Sequence, residues 1–198
     1  MGAPVAILLH TTGTQDLDAV LRWYTAPDGL QPHYLIETIG TVRRIASEDL
    51  VAYHCAIRPA EARLYQRGYQ EWSQWVWRGD APAHRGEEQP NYREWRDTWR
   101  AKGLQSPLDL CTRDHPNTRS VGIELQQPTH PAEDIFTDAQ YTALAELLKD
   151  VGGRNSIPLT RDHVLGHYDC SPMRRSTAIG SWDPGRAFGW NRLWDLVR

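Results

Sequence analysis

The side chains best suited to chemistry in this sequence are histidines and a carboxylate that follow apolar segments. His10 comes directly after the apolar run 5–9, His167 follows a second apolar stretch that ends at Leu165, and Asp183 lies further along the chain. Neutral imidazole nitrogens and carboxylate oxygens are ligands that a borderline cation such as zinc accepts. Three protein ligands leave one coordination position open, as in catalytic rather than structural zinc. The set therefore predicts a catalytic zinc site.

Neighbouring residues offer alternatives to this set. Cys170 lies close to His167 and could serve as a soft ligand in place of Asp183, although a lone cysteine is more often a small buried hydrophobe. Asp183 could instead form the turn of Asp-Pro-Gly. His163, four residues before His167, lacks the glutamate of a helical zinc motif, so we expect it at the surface or in support of the ligands.

Apolar runs predict the strands that would carry these residues. The continuous run 5–9 is typical of a strand buried on both faces, with His10 where it emerges. Residues 120–125 form another apolar run around Glu124, whose carboxylate is costly to bury unless something pairs with it. Further strands are predicted within 33–46, as two strands around a turn at Gly40, and over 51–56 and 157–165.

Helices are predicted between these strands. Residues 16–24 place four apolar side chains on one face, and residues 190–197 form a last amphipathic helix. The clearest helix spans 136–150, with Thr137 as N-cap, Gln140 at the capping-box position and Gly152 after its end. Alternating strands and helices predict an α/β fold, with a mixed central sheet flanked by helices.

The length of 198 residues suits one well-buried core, so we predict a single domain over 1–198. Residues 58–117 are rich in Pro, Gly, Arg and Trp. They contain the helix-like stretches 60–77 and 92–102, and five of the nine tryptophans are crowded there. We expect this part to be a Trp-rich helical insertion that lies on the core, where it could act as a lid.

Composition limits the partners and the compartment. A formal net charge of -3 provides no electrostatic footprint for nucleic acid or an anionic membrane. No stretch approaches the roughly 20 apolar residues of a membrane span. The three cysteines lack CxxC spacing, which argues against a disulfide framework, and the first residues lack the basic region of a signal peptide. We expect a cytoplasmic monomer.

Seven motifs occur in a family-specific order across nearly the whole chain outside 58–117. The chain resembles the zinc-dependent N-acetylmuramoyl-L-alanine amidase family, which includes phage endolysins, bacterial muropeptide amidases and peptidoglycan recognition proteins. The motifs are His10-Thr-Thr, His33-Tyr-Leu-Ile with Gly40, Ala52-Tyr-His-Cys-Ala, Asn117-Thr-Arg-Ser-Val-Gly-Ile-Glu-Leu, Phe136-Thr-Asp-Ala-Gln-Tyr, Gly166-His-Tyr-Asp-Cys-Ser-Pro and Asp183-Pro-Gly-Arg-Ala-Phe.

The resemblance implies a zinc ion held by His10, His167 and Asp183, and an amidase or recognition-protein fold. It implies cleavage of the amide between the lactyl group of N-acetylmuramic acid and L-alanine, in peptidoglycan or muropeptides. Glu124 would accept the proton of the attacking water and pass it to the leaving nitrogen. The same resemblance assigns substrate contacts to His54, Tyr34 and Asn117. The His54 imidazole could instead be satisfied by a backbone carbonyl.

One position departs from the family pattern, and this departure leaves alternatives to the family's reaction. The family usually carries an oxyanion-stabilising lysine two residues before the aspartate ligand, and here that position is Ser181. Arg175, or its neighbour Arg174, is a candidate to take the lysine's place, the alternative being that both are solvated loop charges. A non-catalytic peptidoglycan-binding module and a zinc hydrolase of another amide therefore remain alternatives.

Overall fold

The computed structural model describes residues 3–26, 29–57, 99–110, 115–127, 136–171, 183–185 and 188–198. Within these ranges no helix is both long and apolar enough to cross a membrane. The strands are β1 (Ala6–Thr11), β2 (Tyr34–Ile36), β3 (Val42–Arg44), β4 (Ser120–Leu125) and β5 (Val164–Gly166). The helices are α1 (Leu17–Tyr24), α2 (Pro107–Leu110), α3 (Asp138–Asn155), α4 (His167–Cys170) and α5 (Trp190–Val197), with a 3-10 turn over Pro116–Thr118.

The five strands form one mixed sheet in the order β3-β2-β4-β1-β5. Strand β1 pairs in parallel with both β4 and β5, and β2 pairs in parallel with β4. Only the edge strand β3 is antiparallel, joined to β2 through a turn in which Gly40 has a φ of +85°. The predicted α/β architecture with a mixed central sheet is therefore confirmed.

The two faces of the sheet bury different kinds of side chain. Side chains alternate between faces along a strand, so Leu9 and Ile123 point into the main apolar cluster with residues of α3 and α5. The next residues along each strand, His10 and Glu124, point to the opposite face. The main core thus holds the central strands from one side, and polar side chains are buried on the other.

Helix α3 starts as predicted and ends later than predicted. Thr137 caps its first turn, with the reciprocal bond from Gln140 completing a capping box. The prediction that the helix ends before Gly152 was wrong, because the helix continues to Asn155. Gly152 serves close packing instead, since a Cβ there would lie 2.7 Å from Leu159 Cδ2.

Two predicted strands were wrong in whole or in part. Residues 51–56 do not join the sheet, and the Cys55 N–H donates to the Asn117 side chain at 2.7 Å. Of the strand predicted over 157–165, only the end is present, in β5. Before it the chain turns, with the N–H groups of His163 and Val164 both donating to the Thr160 carbonyl. These segments are not strands because hydrogen bonds to side chains and within turns satisfy backbone groups that a strand would pair with its neighbour.

The Trp-rich insertion predicted over 58–117 lies largely outside the described residues, and so do Trp72, Trp75, Trp77 and Trp95. Of its two predicted helices, 60–77 falls outside, and of 92–102 only the last residues are described. Trp99 is buried in a second apolar cluster, and the Arg161 guanidinium lies 5.1 Å from its ring centre. This tryptophan contributes to packing against the sheet.

Candidate metal centre

Three donor atoms from distant parts of the chain converge on the polar face of the sheet. The Nδ1 atoms of His10 and His167 are 3.2 Å apart. Asp183 Oδ2 lies 3.5 Å from the first and 3.1 Å from the second. All three side chains are buried, and among the described residues this is the group of histidine, cysteine and acidic donors placed to hold a metal ion. We call it the donor triangle.

The dimensions of the donor triangle suit tetrahedral zinc. Ligand atoms about 2.0 to 2.1 Å from a tetrahedral ion lie about 3.3 Å from one another. The three observed separations scatter around that value. The donor set, two imidazole nitrogens and one carboxylate oxygen, is also one that zinc takes at catalytic sites, where a fourth position stays open. The residues present therefore fit the ion that the sequence predicts.

His167 is oriented by a backbone acceptor. The residue begins α4 directly after β5, and its Nε2 lies 2.8 Å from the Ala56 carbonyl oxygen. A carbonyl oxygen can only accept, so Nε2 carries the proton. A neutral ring then has its lone pair on Nδ1, which faces the donor triangle. The segment before the insertion thus sets the ligand nitrogen of His167.

Asp183 is held so that one carboxylate oxygen remains available. Its Oδ1 accepts the Thr11 N–H at 2.7 Å, and its carbonyl accepts the Tyr168 N–H at 3.2 Å. Gly166 permits this approach, since a Cβ there would lie 2.9 Å from the Asp183 carbonyl oxygen.

Two further histidines lie behind His10. His54 is 2% exposed, and its Nδ1 is 3.0 Å from His10 Nε2. His33 contacts the His54 ring, with centroids 5.7 Å apart, and its Nδ1 accepts the Gly122 N–H at 2.9 Å. Burial, together with the nearby rings of three other histidines, holds the pKa of His54 well below its ordinary value. His54 is therefore a neutral partner of a ligand and not a side chain open to solvent.

Glu124 and Tyr24 lie on the same face of the sheet as the donor triangle. Glu124 is buried, and its backbone position is paired with that of His10. The hydroxyl of Tyr24 comes from α1. Burial raises the pKa of Tyr24, and the negative charges of Glu124 and Asp183 raise it further. The sequence indicated Tyr24 only as an apolar-face residue of a helix, because nothing local marks a tyrosine for a site.

The other predicted substrate contacts lie elsewhere. Tyr34 points into the main core, where its hydroxyl donates to Glu48. Asn117 is buried, and its Oδ1 accepts the Cys55 N–H beside His54. The first residue is thus on the face of the sheet opposite the donor triangle, and the second supports the segment that carries His54.

The alternative ligands are also placed. Cys170 packs beside Cys55 in the second apolar cluster, and a hydrogen bond with that thiol, together with burial, raises the pKa of Cys170 well above its ordinary value. It is not part of the donor triangle. His163 is partly exposed and bonds with Thr160 and Asp162. The predicted catalytic residues Ser181 and Arg175, with Arg174, lie outside the described residues.

The chain is similar to a known protein family and to a curated protein. A family model described as N-acetylmuramoyl-L-alanine amidase matches residues 1–186. A curated relative, 1,6-anhydro-N-acetylmuramyl-L-alanine amidase AmpD of Haemophilus influenzae, is 38% identical over 87 residues, which are 43% of this chain and 41% of the relative. The match thus spans about two fifths of that protein's length.

Solved structures share the fold at low identity. The amidase AmiD of E. coli, in complex with an anhydro-N-acetylmuramic acid peptide, has a TM-score of 0.60 at 20% identity, covering 98% of this chain and 58% of that one. AmpDh3 of Pseudomonas aeruginosa, in complex with anhydromuramic pentapeptide, has 0.58 at 18%, covering 98% and 60%. A selenomethionine AmpD has 0.54 at 19%, covering 100% and 86%.

Proposed function

We propose that this chain, which belongs to the N-acetylmuramoyl-L-alanine amidase family, is a zinc-dependent hydrolase. Its substrate would be the amide between N-acetylmuramic acid and L-alanine in peptidoglycan or its muropeptide fragments. The observation that carries the proposal is the donor triangle of His10, His167 and Asp183, whose separations of 3.1 to 3.5 Å suit one tetrahedral ion. Bound zinc would acidify a water molecule and polarise the scissile carbonyl.

The chain's own residues supply the remaining steps. Glu124, paired in register with His10, would accept the proton of the attacking water and deliver it to the departing L-alanine nitrogen. The parallel pairing of β1 and β4 puts position 124 next to position 10 on the same face of the sheet. Proton delivery matters because an amide nitrogen leaves poorly as an anion.

The relatives motivate the substrate class. The curated relative is named for a 1,6-anhydro muropeptide, and two of the similar structures hold anhydromuramic peptides. Soluble anhydro-muropeptides and intact sacculi are therefore the two substrates to compare. Preference for the first supports a role in fragment processing, and preference for the second supports wall lysis, as in an endolysin.

The test is incubation of the purified protein with each substrate, with and without a chelator, followed by mass analysis of the products. The proposal expects separation of L-alanine-containing stem peptides from the sugar, abolished by the chelator and restored by added zinc. Binding to sacculi without any release, even after zinc is added, would instead identify a non-catalytic peptidoglycan-binding module. Cleavage of other amides only would identify a different zinc hydrolase.

A further inference from the structure

A line of buried polar atoms leads from the 3-10 turn to the donor triangle. The Ser120 hydroxyl donates to the Pro116 carbonyl oxygen at 2.7 Å. His54 Nε2 lies 3.4 Å from the same Ser120 oxygen. On its other side, His54 Nδ1 lies 3.0 Å from His10 Nε2. The His54 ring therefore connects a backbone carbonyl, through one hydroxyl, to a candidate metal ligand.

The direction of each bond follows from the first donor. Because the Ser120 proton is committed to a carbonyl, its oxygen is left as an acceptor, and His54 Nε2 must supply the proton between them. A neutral imidazole carries one N–H, so His54 Nδ1 is then an acceptor. His10 Nε2 must in turn be the donor, which leaves the lone pair of His10 on Nδ1. That nitrogen is the one in the donor triangle.

We propose that His54 is a positioning residue that holds His10 in the Nε2–H tautomer and so keeps its Nδ1 lone pair available to the metal ion. The inference deepens the proposed function and rests on it for the identity of the ion. It differs from the substrate contact predicted for His54, since a side chain 2% exposed and enclosed by other histidines does not face a substrate. It also parallels His167, whose tautomer the Ala56 carbonyl sets directly.

Several neighbours hold the His54 ring where this role requires it. Gly122 on β4 lies against the ring, and a Cβ at that position would overlap the imidazole. The Gly122 N–H is occupied by His33, whose ring packs edge to face with that of His54. Asn117 accepts the N–H of the next residue, Cys55. The glycine of the Gly-Ile-Glu-Leu strand thus has a specific task, which is to leave room for an imidazole.

Without an acceptor at position 54, the His10 proton is expected to be more stable on Nδ1 than on Nε2. Loss of the His54 acceptor makes a proton on His10 Nε2 less favourable, whereas a proton on Nδ1 could be donated to Asp183, 3.5 Å away. Metal binding would then have to displace that proton. Loss of an outer partner of a metal-binding histidine typically weakens metal affinity about 10- to 100-fold.

The first arm of the test needs neither metal nor mutation. Long-range nitrogen-proton NMR spectra of histidine-labelled, metal-free protein distinguish the two tautomers of each ring. The proposal expects Nε2–H and unprotonated Nδ1 for His54, with a proton on His10 Nε2. A proton on His54 Nδ1 would overturn it, because His10 Nε2 would then be the acceptor.

The second arm compares two variants of similar shape. In His54→Asn the side-chain oxygen can occupy the Nδ1 position as an acceptor, whereas His54→Leu has the same branching without one. Zinc affinity, from competition with a chromogenic chelator, should fall about 10- to 100-fold in His54→Leu and less than about tenfold in His54→Asn. Equal losses in two folded variants would overturn the positioning role. Failure of the parent protein to bind zinc would instead refute the proposed function, while the tautomer spectra would still decide the arrangement of His54.

Discussion

His10 and Glu124 occupy directly paired positions on the central parallel strands β1 and β4, with both side chains on the face away from the main core. Neighbouring strands are about 4.8 Å apart, so a ligand candidate and a general-base candidate are held side by side by backbone hydrogen bonds. Neither residue depends on a loop for its position. In the proposed function His10 binds the metal ion and Glu124 transfers the proton, so substitutions at the two positions can distinguish these roles.

Glu124→Gln should abolish most amide hydrolysis and leave the zinc affinity within about threefold of the parent value. The carboxamide cannot accept the water proton, and general acid-base catalysis contributes about 10²- to 10⁴-fold, but Glu124 is not one of the three atoms of the donor triangle. Product release by mass analysis and zinc competition together check this. A fall in zinc affinity equal to the fall in hydrolysis would show that Glu124 acts on the metal instead.

Asp183→Asn should weaken zinc binding by more than about 100-fold, beyond the loss typical of outer partners. The amide can still accept the Thr11 N–H through one oxygen, yet it removes the charged donor that faces the two imidazoles. Chelator competition measures the effect. Asp150→Asn is the matched control, because Asp150 is an exposed carboxylate of α3 paired with Arg154, and we expect unchanged affinity.

Gly166→Ala should weaken zinc binding and destabilise the fold, because its Cβ would lie 2.8 Å from Pro184 Cδ and 2.9 Å from the Asp183 carbonyl oxygen. The segment 183–185 must then move away from β5. Gly153→Ala is the control: nothing lies within 4 Å of its Cβ, and replacing a helical glycine should stabilise α3 by roughly 0.5 to 1 kcal/mol. Thermal unfolding with and without zinc compares them. Equal zinc affinity in both variants would contradict the packing role of Gly166.

Glu48→Gln should lower stability at neutral pH, by an amount that shrinks in acid. Burial opposes ionisation of Glu48, but hydrogen bonds from Arg154, Tyr34 and Asn155 bring its pKa below the ordinary value. A lowered folded-state pKa stabilises the protein fully above the unfolded carboxyl pKa of about 4.3, and the contribution is lost as pH falls through the folded value. Urea unfolding between pH 3 and about pH 7 measures the difference. A constant difference across that range would refute the assignment.

Local pattern was enough to predict much of the framework. The apolar run of β4 matches its observed bounds, and Thr137 with Gln140 identified the start of α3, because caps and periodicity depend on neighbouring residues. The helix end was wrong at Gly152, since the contact that uses this glycine comes from Leu159 after the helix. The strand predicted over 51–56 was also wrong, because the side chain that accepts the Cys55 N–H, Asn117, is far away in sequence.

The candidate site divides in the same way. The sequence by itself determined the residue types and their placement after apolar runs, which is why His10, His167 and Asp183 could be named as candidate ligands from the chain alone. Only the tertiary structure decided which nitrogen of each ring faces the donor triangle, that His54 lies buried behind His10, and that Tyr34 points into the opposite face. Those features depend on strand register and on contacts between segments far apart in the chain, and a linear pattern contains neither.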